Sequence, residues 1–148
     1  MQQLNFPSYP LQLKTSENKT LIFDIIRKKN IVLTPEEWVR QHCLWFLIEE
    51  KKYPKSLLNV EKQLLLNNQK KRTDIVAYSS NGNPLLIVEC KAPSVKITQD
   101  TFDQIARYNM QLNSQYLLLT NGLEHYSCVI DHKNKQYQFL PEIPAFQF

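Results

Sequence analysis

The sequence predicts an α/β fold in which a central mixed sheet is flanked by helices and extended by β-rich segments at both ends. Three observations predict it. Only two glycines occur, Gly82 and Gly122, each after an asparagine, and Asn-Gly is the strongest short-range turn signal. Two segments carry helix-start chemistry, Thr34-Pro35-Glu36-Glu37 and Thr98, each ahead of apolar residues at helical spacing. Much of the remaining chain alternates or runs in Leu, Ile, Val and Tyr, residues that fit a pleated surface.

In chain order, Leu11 to Lys14 reads as a strand, Ser16 to Lys19 as a polar loop and Leu21 to Ile26 as an apolar run. Thr34 caps a helix from Pro35 to about Lys51, with proline at the first helical position and Val39, Cys43, Phe46 and Leu47 at helical spacing. Leu57 to Leu66 reads as a first strand, which Asn67 to Lys70 turns into a hairpin centred on Asn81-Gly82. Thr98 caps a second helix through Leu112 with Phe102, Ile105, Ala106 and Asn109 along it; Tyr116 to Thr120 is a buried strand. Asn121-Gly122 then opens a strand near Glu124 to Asp131, and Asn134 turns the chain into Gln136 to Leu140. The expected organisation is one domain over 1–148, with an N-terminal extension over 1–33, a core over 34–126 and a C-terminal β extension over 127–148.

The 148 residues are 43% hydrophobic and 22% charged, which excludes disordered, collagen-like and coiled-coil chains. A chain of this length buries roughly 70% of its unfolded surface without staples. Cys43, Cys90 and Cys128 form no paired motif, and His42, His125 and His132 lack zinc-ligand spacing, so neither a disulfide framework nor a zinc site is expected. No apolar run reaches a membrane span and no signal-peptide pattern opens the sequence. The expectation is a soluble cytoplasmic protein with no membrane partner. A net charge of +4 is compatible with a polyanion and does not require one.

The chemistry concentrates in the hairpin. A two-residue type I′ turn at Asn81-Gly82 pairs Tyr78 with Leu85, Val76 with Ile87 and hence Asp74 with Glu89. Like charges directly opposite one another destabilise a sheet, and alternation puts Lys91 on the same face as Glu89. Mg²⁺ is the simplest compensation, because it takes one or two carboxylates and completes its shell with water and phosphate oxygens. Beside it, Lys91 has two uses: orienting an attacking water or neutralising charge in a phosphodiester transition state. The alternative is a surface salt bridge of Asp74 with Lys91 or Arg72 and no metal. The apolar run Leu85-Leu86-Ile87-Val88 favours the first reading, since it places the acid and lysine at the end of a buried central strand.

These residues resemble a known signature. Asp74 followed by Glu89-Cys90-Lys91 at the end of an apolar strand looks like the PD-(D/E)XK nuclease motif, and the predicted element order resembles that superfamily's restriction-endonuclease-like αβββαβ core. The words Thr34-Pro35-Glu36-Glu37-Trp38-Val39-Arg40-Gln41, Thr73-Asp74-Ile75-Val76, Leu86-Ile87-Val88-Glu89-Cys90-Lys91-Ala92-Pro93, Gln104-Ile105-Ala106-Arg107-Tyr108 and Leu119-Thr120-Asn121-Gly122 together resemble the N-terminal nuclease domain of type I restriction enzyme R subunits, over about Leu33 to Tyr126.

The resemblance implies a metal-dependent DNA endonuclease or nuclease module, with Asp74, Glu89 and Glu37 as metal ligands and Lys91 as the catalytic lysine. It implies Mg²⁺, for which Mn²⁺ substitutes. Glu37 also fits a capping box with Thr34. Gln104 and Tyr108 match a QxxxY element bordering such sites, or form a plain i,i+4 contact. Arg40 and Gln41 are candidates for phosphate or supporting contacts, and Cys90 reads as core filler. A threonine rather than a proline precedes Asp74, which removes no ligand.

Lys70, Lys71 and Arg72 run into Asp74 and would neutralise phosphates without reading sequence; a solvated turn explains them equally. The chain holds no GxxxxGK[ST] phosphate loop, so the ATP-driven motor of a full R subunit is not expected within it. The expected partners are DNA and either a second copy, as a homodimer, or a protein supplying specificity or a motor. The alternative function is a non-catalytic nucleic-acid- or protein-binding module on a nuclease fold.

Overall fold

Three β-strands open the chain: β1 (Leu13–Ser16), β2 (Lys19–Asp24) and β3 (Lys29–Val32), paired as an antiparallel meander. The structure is a computed structural model that describes residues 1–66 and 69–147, of which 64–66 and 69–71 by backbone alone. Ser16 pairs with Lys19, and Glu17 and Asn18 between them both have positive φ, 50° and 64°. That is the type I′ two-residue turn, and it falls here rather than at an Asn-Gly pair. The β3 strand was not anticipated. It follows a turn closed by Asp24, whose Oδ1 accepts the backbone N–H groups of Ile26 and Arg27, each at 2.8 Å.

Helix α1 (Pro35–Glu49) starts where expected, with the Thr34 Oγ1 accepting from the Glu37 N–H at 3.0 Å. After it, the expected strand Leu57 to Leu66 divides. β4 (Leu58–Val60) joins the main sheet, Glu61 turns at φ +54°, and β5 (Gln63–Leu66) pairs with β6 (Gln69–Arg72) as a separate two-stranded ribbon. Two crossing backbone bonds hold the ribbon's base, Thr73 N–H to Lys62 O and Glu61 N–H to Asp74 O, both 2.9 Å.

The chain then forms β7 (Ile75–Tyr78), β8 (Pro84–Cys90), α2 (Gln99–Asn109), β9 (Tyr116–Thr120), β10 (His125–Asp131) and β11 (Gln136–Leu140). Six strands make one mixed sheet in the order β11-β10-β9-β8-β7-β4, with β8 and β9 parallel and central. α2 is the crossover that parallel neighbours require. It is shorter than predicted because Met110–Leu112 tighten into a 3₁₀ turn and Asn113 stops it at φ +55°. The expected boundary between core and C-terminal extension falls inside β10, so the last strands continue the same sheet.

The Asn81-Gly82 turn is a correction. Gly82 N–H bonds Ser79 O at 2.9 Å and Ser79 N–H bonds Asn83 O at 2.8 Å; Gly82 has φ +88° and Asn81 is not left-handed. This is a three-residue loop with a left-handed glycine, which shifts the nearby register, so Tyr78 faces Pro84 and not Leu85. An irregularity between Ala77 and Tyr78 shifts it back, and Val76 pairs with Ile87 as expected.

The sheet is covered on both faces. Val39, Cys43 and Leu47 of α1 pack with Ile75, Ala77, Leu86, Val88 and Cys90. Phe102 and Ala106 of α2 pack with Val76, Ile87, Leu117 and Leu119. Each fully buried Val, Leu, Ile or Phe among them contributes about 1.5–3 kcal/mol, and the two-sided cover is why β8 reads as an unbroken apolar run. The C-terminal segment folds back on α1, with Lys51 Nζ 2.9 Å from Glu142 and Phe146 N–H bonding Lys51 O at 2.8 Å. Among the described residues, no helix is long and apolar enough to cross a membrane.

Candidate active site

The end of β8 is where the charged residues gather. Val88 pairs with Ile75, the last ladder partner before Asp74 leaves the strand. Asp74 lies outside the ladder, and its Oδ2 accepts the backbone N–H of Cys90 at 2.7 Å. That N–H lies between Glu89 and Lys91, so one hydrogen bond joins the Asp74 carboxylate to the Glu-Cys-Lys triplet. Lys91 is fixed through its backbone N–H on Thr120 O, at 2.8 Å. Glu89 is half-buried, with the Asn109 amide of α2 3.4 Å from its Oε1. Asp74 is thus engaged from the α1 side and Glu89 from the α2 side, whereas alternation alone had put both on one face.

Asp74 also belongs to a charge network. Arg40, 6% exposed, donates from Nη2 to Asp74 Oδ1 at 2.7 Å and from Nη1 to Glu37 Oε1 at 2.5 Å. Burial would lower its pKa, but the hydrogen bond to Asp74 and the charges of Glu37 and Asp74 outweigh it and hold it above the ordinary value. Arg27, from the turn between β2 and β3, reaches Asp24 Oδ2 at 2.7 Å, Glu37 Oε2 at 3.0 Å and Glu61 Oε2 at 3.2 Å. Gln41 donates to Asp24 Oδ2 and Glu37 Oε2, both at 2.9 Å. Glu36 sits beside both halves of the site: burial and the Asp74 charge push its carboxyl up, against Arg40 and Lys91.

Asp74 and Glu89 form an all-oxygen donor set, the chemistry that Mg²⁺ takes, and a pair of carboxylates is what it ordinarily draws from protein. Among the described residues, no three or more His, Cys, Asp or Glu side chains are arranged to hold an ion. Glu37 lies in the network instead, with both oxygens taken by Arg27, Arg40 and Gln41. Its side chain does not return to Thr34, so only half of the capping box forms. Arg40 differs from its expected role in the same way. A phosphate contact needs an accessible guanidinium, and this one is buried among carboxylates.

Gln104 is exposed on α2, Tyr108 is 38% exposed one turn on, and Arg72 is exposed at the end of the ribbon. The side chains of Lys70 and Lys71, and the residues Asn67 and Asn68 of the expected turn, lie outside the described residues. Cys90 is buried beside Cys43, which together with burial pushes its thiol well up and keeps it protonated. Sequence reasoning missed Asp24, Arg27, Glu36, Glu61 and Asn109. The i,i+4 spacing of Glu36 and Arg40 was a readable signal; the contacts of Arg27 and Glu61, across distant segments, left none.

Fold and site together define a mixed α/β domain whose central strand ends at Glu89-Cys90-Lys91 beside Asp74. The family model for the type I restriction enzyme R protein N terminus matches residues 35–144, and the chain belongs to that family. Among solved structures it is similar to a fragment described as an HsdR subunit of a type I restriction enzyme from Vibrio vulnificus YJ016, with 17% identity and a TM-score of 0.45. That alignment covers 69% of this chain and 22% of the other, so the chain spans about a fifth of the length of the solved relative. No curated protein matches.

Proposed function

We propose that this chain is a metal-dependent deoxyribonuclease module built on the restriction-endonuclease-like αβββαβ core of the PD-(D/E)XK nucleases. Asp74 and Glu89 hold Mg²⁺, Lys91 acts on the attacking water, and Gln104 and Tyr108 border the bound strand. The observation that carries the reading is the 2.7 Å hydrogen bond from the Cys90 N–H to Asp74 Oδ2, which brings the isolated acid to the Glu89-Cys90-Lys91 triplet. When bound, the metal supplies charge stabilisation at the phosphate and a lowered water pKa. Lys91, anchored by its backbone on Thr120, directs its ammonium at the water or at charge developing on the phosphate. Glu37 orients Arg40 and serves the site through it. Arg72, with Lys70 and Lys71, neutralises phosphates flanking the cut. DNA is the substrate, and a second copy or a partner protein supplies the second strand's cut, the specificity or the motor.

Purified protein incubated with supercoiled plasmid and with single-stranded DNA in Mg²⁺ or Mn²⁺ tests the reading, beside Lys91→Ala and an EDTA control. Metal-dependent nicking that Lys91→Ala abolishes is expected. One observation favours a second reading, a non-catalytic nucleic-acid- or protein-binding module: both Asp74 oxygens already carry a donor. That reading expects DNA binding unchanged by metal and by Lys91→Ala, with no nicking in any condition.

A further inference from the structure

The Asp74 carboxylate is held by two donors of different kinds. Oδ2 is held by the Cys90 N–H, a backbone donor fixed in place by the central strand. Oδ1 is held by Arg40 Nη2, and that donor has somewhere else to go. The same Nη2 lies 3.4 Å from Glu36 Oε1 and 3.7 Å from Glu61 Oε1, while Nη1 stays on Glu37 at 2.5 Å. Rotating the planar fork about its Glu37 anchor exchanges one carboxylate for another and leaves no buried cation unpaired, which is the costly outcome. The Glu36 and Glu61 side chains are 49% and 32% exposed, against 7% for Arg40, so the movement carries the guanidinium toward solvent.

We propose that Arg40 is an electrostatic latch on Asp74. In the metal-free protein its guanidinium satisfies Asp74 in place of a divalent cation, and cation binding moves Nη2 onto Glu36 and Glu61. The inference rests on the assignment of Asp74 and Glu89 as the ligand pair and adds the regulation of that site. Apparent metal affinity is then the intrinsic affinity reduced by the unlatched fraction, and Arg40, Glu36 and Glu61 are positioning residues that act on the cation without touching it.

Mn²⁺ binding, read from the electron paramagnetic resonance signal of the free ion, tests this without any activity measurement. The proteins are wild type, Asp74→Asn, Arg40→Gln, the pair Glu36→Gln with Glu61→Gln, and the triple variant. Arg40→Gln is expected to tighten Mn²⁺ about tenfold, the worth of one charge-assisted hydrogen bond. The glutamate pair is expected to weaken it severalfold in wild type and to change nothing once Arg40 is Gln, because those acids act through Arg40. Asp74-dependent binding that Arg40→Gln leaves unchanged or weakens overturns the latch alone. So does a glutamate effect of equal size with and without Arg40, which is direct electrostatics. Absence of Asp74-dependent binding in every variant overturns the latch together with the ligand assignment. Where circular dichroism finds Arg40→Gln unfolded, Arg40→Met, which fills similar volume without the charge, replaces it in the cycle with the same signs expected.

Discussion

Arg27 Nη2 lies 3.0 Å from Glu37 Oε2, a contact between the N-terminal meander and the first helix of the core. The same guanidinium reaches Asp24 and Glu61, so residues outside the matched family region complete the charge network beneath Asp74. An extension that only decorated the domain would not place its arginine between two buried acids.

Replacing that arginine removes the cation paired with Asp24 and leaves Glu37 to Arg40, both carboxylates being almost fully enclosed at 0% and 4% exposure. Breaking a buried pair from one side costs about 3–5 kcal/mol. Arg27→Met is therefore expected to lower unfolding stability by that amount in urea denaturation, with the m-value unchanged. A loss below about 1 kcal/mol sinks the structural role assigned to the contact.

Stability is expected to fall with acid in two stages. Burial depresses the pKa of His42 despite the Trp38 carbonyl, so the folded state resists protonation. Its contribution is complete above about pH 6.5, the unfolded value, and declines below it. Burial would raise Asp24, but the backbone and guanidinium of Arg27 and the Gln41 amide hold it below its ordinary value. Its contribution is complete above about pH 4 and is lost as pH falls through the folded value. Denaturation midpoints from pH 8 to pH 2 check both stages, and Arg27→Met shrinks only the second.

Gly122 has φ +87°, and an added Cβ would lie 2.8 Å from Leu4 Cδ2 and 3.0 Å from Val39 Cγ2. Backbone strain and overpacking therefore act together, and Gly122→Ala is expected to cost about 1–3 kcal/mol. Gly82, with an equally left-handed φ but nothing within 4 Å, suffers only the strain, so Gly82→Ala costs the smaller amount, on the order of 1 kcal/mol. Thermal unfolding of the two variants side by side gives the order.

Much of this architecture was legible from local signals. β9 and β11 have the expected bounds because each is a short apolar or alternating run fenced by turn residues. Asp74 came to the Glu89-Cys90-Lys91 end of β8 despite a wrong turn type, because the longer loop and the irregularity at Ala77 offset one another. Local pattern failed where partners are distant. Arg27-Lys28-Lys29 reads as a solvated basic run, and nothing in its spacing points to Glu37 or Glu61. The helical spacing of Arg40 left its contacts with Glu36 and Glu37 readable though unread, and only the sheet brings Asp74 within reach. The strand broken at Glu61 hid for a related reason: its left-handed backbone is imposed by the crossing bonds to Lys62 and Asp74, not by a glycine.

The exposed side of α2 offers the cleanest separation of function from fold. Phe102, Ala106 and Asn109 are buried on that helix, while Gln104 and Tyr108 face outward. Substitution at an exposed position such as Gln104 ordinarily changes stability by less than about 0.5 kcal/mol. If Gln104 and Tyr108 border the bound strand, Gln104→Ala and Tyr108→Ala are expected to weaken cleavage about tenfold or more, Gln104→Ala with melting temperature unchanged and Tyr108→Ala chiefly through lost base stacking worth about 1–3 kcal/mol. Fluorescence anisotropy with a labelled single-stranded oligonucleotide separates binding from chemistry. Wild-type affinity and cleavage in both variants would remove this helix face from the site and leave the end of β8 to act alone.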